Sequence, residues 1–75
     1  MTWEELKEKA KELGYEIVIK YPYGKKEECI CDGQYGFYRD GTVENDCYLD
    51  DEYCGSPFAE DRTIDQMYQI MLALR

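Results

Sequence analysis

The chain opens with an apolar stripe at helical spacing. Trp3, Leu6, Ala10 and Leu13 recur at intervals of three and four, which puts them on one face of an α-helix. The flanking residues mark its ends. Thr2 and Glu5 stand three apart as a capping box, and Met1 and Leu6 have the spacing of a hydrophobic staple. Gly14 followed by Tyr15 supplies a left-handed stop. On the opposite side, Glu4–Lys7, Glu5–Lys9 and Glu8–Lys11 fall at i,i+3 or i,i+4 as ion pairs. A helix over residues 2–13 follows.

The period then changes to two. Tyr15, Ile17, Ile19 and Tyr21 alternate with other residues in a β-branched, aromatic run, which predicts a strand over 15–21 with those four side chains inward. Pro22 and Gly24 suit positions i+1 and i+3 of a type I turn. Three further short strands are separated by Asp32-Gly33 and Asp40-Gly41, both strong hairpin signals.

Two-residue turns at both places would set the register. Cys31 would stand opposite Gln34, Ile30 opposite Tyr35 and Cys29 opposite Gly36. Across the second turn, Tyr38 would oppose Val43, Gly36 would oppose Asn45 and Gln34 would oppose Cys47. Opposed residues share a face. One face then carries Cys29, Cys31, Tyr38, Val43 and Cys47, and the other Ile30, Tyr35, Phe37, Arg39, Thr42 and Glu44. A slip of one residue would exchange the sets.

Residues 48–62, broken by Gly55-Ser56-Pro57, read as an irregular connection. Thr63 and Gln66 form a second capping box, and a helix runs from there to about Leu74. It turns Ile64, Met67, Tyr68, Met71 and Leu74 inward, with Ile70 and Leu72 widening the apolar arc. The order α-β-β-β-β-α with short connections predicts a small α+β domain. It is an antiparallel β-meander with the N- and C-terminal helices packed on one face, and residues 1–75 form a single compact domain.

Composition narrows the function. At 44% hydrophobic and 35% charged residues, the chain is too apolar for disorder and too polar for a membrane protein. No apolar run approaches the length of a membrane span. The charged start Met1-Thr2-Trp3-Glu4-Glu5 is unlike a secretion signal, so the expected location is cytoplasmic, with reduced thiols. Residues 40–61 hold eight acids and no base, and the net charge of −8 resides there. That potential disfavours direct nucleic-acid binding and contact with anionic membrane, and attracts basic proteins.

The four cysteines lie within residues 29–54 and there is no histidine. Four thiolates at Cys29, Cys31, Cys47 and Cys54 match the ligand count of a structural zinc site. The pairs separated by two residues that usually present thiolates to zinc are missing. Cys31 and Cys47 would also stand two strands apart, roughly 9–10 Å. Disulfides need an oxidising compartment, and residues 29 and 31 on one strand are at the limit of bridging geometry. The expected reading is four buried cysteines packed as small hydrophobes with no cofactor, and a zinc-stabilised domain is the alternative.

Catalysis is not expected. The usual acid–base residue at neutral pH is absent, no glycine-rich phosphate loop is present, and Ser56 is the only serine. Asp50, Asp51 and Glu52 match no calcium loop and read as a solvated segment. The expected role is a non-catalytic protein-interaction module for a basic partner. Its candidate surfaces are the acidic-aromatic connection (Tyr48, Asp50, Asp51, Glu52, Tyr53, Phe58) and an outer sheet face carrying Ile30, Tyr35 and Phe37. A sharper form is an acidic mimic of nucleic acid that inhibits a nucleic-acid-binding protein. The wide apolar arc of the last helix points to a homodimer as a further use.

Overall fold

A computed structural model describes all residues, 1–75. Two helices, α1 (Trp3–Glu12) and α2 (Ile64–Leu74), flank five strands: β1 (Glu16–Lys20), β2 (Glu27–Cys31), β3 (Tyr35–Tyr38), β4 (Val43–Asn45) and β5 (Ser56–Ala59). The strands form one antiparallel meander in the order β1-β2-β3-β4-β5. Both capping boxes are made: Thr2 accepts from the Glu5 N–H and Thr63 from the Gln66 N–H, each at 3.1 Å, and both return bonds are present.

The helices cover one face of the sheet. Trp3, Leu6 and Ala10 of α1 and Met67 and Met71 of α2 close over Tyr15, Ile30, Phe37 and Val43. The Tyr15 and Phe37 rings meet edge to face at 5.8 Å, the arrangement their quadrupoles favour. The junction of α1 with the sheet is polar. Lys7 Nζ reaches both carboxylate oxygens of Glu28 on β2, and Trp3 Nε1 donates to one of them at 3.2 Å.

The first hairpin register differs from expectation by two residues, with Ile30 opposite Phe37, Cys29 opposite Tyr38 and Cys31 opposite Gly36. The Asp32 N–H bonds to the Tyr35 carbonyl, so Gly33 and Gln34 are the turn residues, while the Asp32 carboxylate caps the Gln34 and Tyr35 N–H groups. A shift of two keeps every side chain on its face.

The second hairpin differs by one. Phe37 opposes Val43 and Gly36 opposes Glu44. Tyr38 N–H bonds to the Thr42 carbonyl around a three-residue loop, Arg39-Asp40-Gly41, with Gly41 left-handed at φ 93°. That is the common three-residue hairpin with a glycine bulge. Val43 and Glu44 therefore exchange faces: Val43 joins the helix-side core and Glu44 joins the cysteines. Asp46, at φ 59°, then adds one residue beyond the ladder. This returns Cys47 to the cysteine side, where its N–H bonds to the Gln34 carbonyl at 3.1 Å.

Three further expectations are corrected. Ile30 and Phe37 are fully buried beneath the helices, so they form no outer face. Residues 56–59, read as irregular, make edge strand β5, a place where Pro57 costs no ladder bond. Ile19, Tyr21 and Leu74, expected inward, are exposed. No helix is long and apolar enough to cross a membrane.

Candidate functional site: a buried thiol layer and the groove beside it

The sheet has a second covered face. Residues 46–55 leave β4, fold back over the strands and seal in Cys29, Cys31, Tyr38 and Cys47, with Val18 and Cys54 packed against them. Lys20 holds this cover down. It lies on the same face as Val18, is fully buried, and its ammonium donates to the carbonyls of Tyr48 and Asp51. Buried charge is tolerated only with such partners. The Asp51 carboxylate accepts from the Tyr53 N–H at 2.9 Å, tightening the loop.

Beneath the cover, the sulfurs of Cys29 and Cys47 are 3.7 Å apart. The two residues flank β3, and they meet because Gly36 has no side chain. A Cβ there would lie 2.6 Å from Cys47 Sγ and 2.9 Å from Cys29 Sγ. The two-strand separation expected of Cys31 and Cys47 also applies to Cys29 and Cys47, and the side chains of this second pair bridge it. Glu44, 2% exposed, converges on the same point; its carboxylate and the two sulfurs all lie within 4.8 Å of one another. Tyr38 donates its hydroxyl to Glu44 Oε1 at 2.6 Å, and Cys54 Sγ lies 3.3 Å from that hydroxyl.

Cys31 is used differently. Its thiol donates to the Cys47 carbonyl at 3.0 Å and accepts from the Gly33 N–H. The four thiols are unpaired, and the four cysteines do not converge on one point. The Cys31 thiol is pushed up by its contact with Cys47 and then by burial, and that of Cys47 by its contact with Cys29. Tyr38 is raised by burial first, then by Cys54 and Glu44. Cys31 and Cys47 are protonated at neutral pH, so they are weak nucleophiles.

An open groove of about 830 Å³ runs along this face, with Tyr38, Glu44 and Cys54 in its wall. Tyr21, Tyr23 and Tyr53 supply its aromatic rim, and Glu27, Asp40 and Glu60 its acids. Two bases reach it: Arg39, which is 3.7 Å from Glu4, and Lys25. Tyr23 has two unusual features. Its backbone is left-handed (φ 54°, ψ 29°), and the residue is 101% exposed.

The residues expected to bind a partner are dispersed. Tyr53 stands on the groove rim, whereas Tyr48, Asp50 and Glu52 are exposed on the cover and Asp51 is half-buried. Phe58 lies on β5, edge to face with half-buried Tyr35 at 6.1 Å. Phe37 is in the core and unavailable to any partner. Sequence reasoning missed Lys20, Tyr21, Tyr23 and Glu27. The available signals were a lysine closing the apolar run Ile17-Val18-Ile19 on the face of Val18, and two tyrosines flanking Pro22 at a turn.

Together these features define a small α+β domain whose five-stranded meander is covered on one face by two helices and on the other by a loop. The chain matches no family model, no curated protein sequence and no solved structure.

Proposed function

We propose that the protein is a non-catalytic interaction module that binds a basic, extended segment of a protein partner in the tyrosine- and acid-rimmed groove. The observation that carries this reading is Tyr23. A fully exposed tyrosine in a left-handed backbone gains no burial and costs about 1–2 kcal/mol of conformational energy. Such strain concentrates at functional positions.

The chemistry of the rim supports a cationic ligand. Guanidinium and ammonium groups are attracted to tyrosine faces, by about 0.5–1 kcal/mol each where exposed. Glu27, Asp40 and Glu60 add the matching charge. The net charge of −8 would steer a basic partner toward the domain. The acids of the cover contribute to that field while its carbonyls serve Lys20. A partner that also binds nucleic acid would be one case of the same chemistry.

The test is fluorescence anisotropy with a labelled nonapeptide of arginines and glycines, and a second with glutamates replacing the arginines. The reading expects saturable binding of the first alone, weakened by salt and lost in Tyr23→Ala. Equal binding of both peptides, or affinity unchanged by that substitution, would overturn it.

A further inference from the structure

We infer that Cys29, Cys47 and Glu44 form a binding site for one thiophilic divalent cation of the zinc class, with the fourth position open toward Cys54 and the groove. This site is independent of the groove reading, and it differs from a four-cysteine cage because Cys31 takes no part.

The geometry is that of a metal site. Two thiolates at about 2.3 Å from a tetrahedral ion have sulfurs roughly 3.8 Å apart; Cys29 and Cys47 are at 3.7 Å. Thiols in ordinary packing contact would explain that distance, but not the carboxylate that converges on them. Glu44 is buried, and the Tyr38 hydroxyl is the one side-chain partner of its carboxylate. The buried cation of the same layer, Lys20, is engaged with the carbonyls of Tyr48 and Asp51 instead. Glu44 takes part in no ion pair, and a bound cation would supply its counter-charge.

The surroundings fit as well. Tyr38 fixes the Glu44 carboxylate from outside at 2.6 Å, as partners of metal ligands do. Gly36 leaves the space that a side chain would fill. Cys54 is half-buried, in the groove wall, and near the same tyrosine hydroxyl. Binding forms two metal–sulfur bonds and one metal–oxygen bond, and releases the two thiol protons to solvent. Cys31 is held by the Cys47 carbonyl and the Gly33 N–H, outside this set.

The experiment is titration of the full chain, reduced and freed of metal, with cobalt(II), followed by zinc competition. One equivalent of cobalt is expected to bind with a thiolate charge-transfer band that zinc abolishes. Cys31→Ser retains the band, Cys29→Ser and Cys47→Ser lose it, and Tyr38→Phe weakens affinity roughly ten- to a hundred-fold. The cadmium-113 resonance of the unaltered chain counts sulfur ligands directly, so the result does not depend on whether a cysteine variant folds. Absence of a stoichiometric band would refute the site. So would a band that survives loss of both Cys29 and Cys47, or one abolished by Cys31→Ser.

Discussion

Cys29 and Cys47 touch across a strand to which neither belongs, their sulfurs 3.7 Å apart above the α-carbon of Gly36. The contact joins β2 to the segment that follows β4, and so ties the covering loop to the middle of the sheet. Gly36 is indispensable to it. Gly36→Ala is expected to destabilise the fold by about 1–3 kcal/mol through overpacking, read as a lower urea midpoint at unchanged slope. Adding Cys47→Ala to that variant should restore part of the loss, because the two residues compete for one space.

Lys20 is the fastening of the second layer. In Lys20→Met the side chain still fills its place, but the carbonyls of Tyr48 and Asp51 lose their donor. A loss of about 2 kcal/mol is expected. Hydrogen exchange should rise through residues 48–54 and leave α1 and α2 protected.

Tyr23 should cost stability, not supply it. Tyr23→Gly relieves the left-handed strain of about 1–2 kcal/mol, and glycine's freedom in the unfolded chain returns about 0.5–1 kcal/mol of that. A net gain of about 0.5–1 kcal/mol is expected in chemical denaturation, together with loss of peptide binding. A variant less stable than the parent would show that the tyrosine is structural.

Glu28 makes stability fall in acid. The hydrogen bond from Lys7, and then that from Trp3, holds its carboxyl below the ordinary value of 4.5. A depressed carboxylate contributes stability above its unfolded value, and that contribution is lost as pH falls through the lower folded value. Lys7 is raised by Glu4 and Glu28, so its contribution is complete at neutral pH and fades only as pH rises through its folded value. Thermal midpoints followed by the fluorescence of the lone tryptophan, Trp3, should decline below pH 4.5. The decline should be shallower in Glu28→Gln.

Legibility in the sequence followed the range of the interactions. Both helices could be read because capping boxes and periodic stripes are local signals, and the structure makes the same bonds between Thr2 and Glu5 and between Thr63 and Gln66. The hairpins could be located but not aligned. Asp-Gly marks a turn without fixing whether the loop holds two residues or three, and the three-residue loop at Arg39-Asp40-Gly41 moved Val43 and Glu44 to opposite faces. Strand β5 was hidden because Pro57 is compatible only with an edge, and an edge is a property of the assembled sheet. The thiol layer was half visible. Cys29, Cys31, Tyr38 and Cys47 do share a face, but the roles of Gly36 and Lys20 depend on contacts between segments distant in sequence.

The proposed binding surface lies on the loop-covered side of the sheet. A nitrogen-15 NMR titration of the full chain with the arginine–glycine nonapeptide maps that surface residue by residue. Shifts are expected to be confined to the backbone amides of Tyr21, Tyr23 and Gly24 and of residues 53–55, with those of α1 and α2 unmoved. Shifts centred on the helices, or on the outer cover at Tyr48–Glu52 without the groove rim, would contradict that placement.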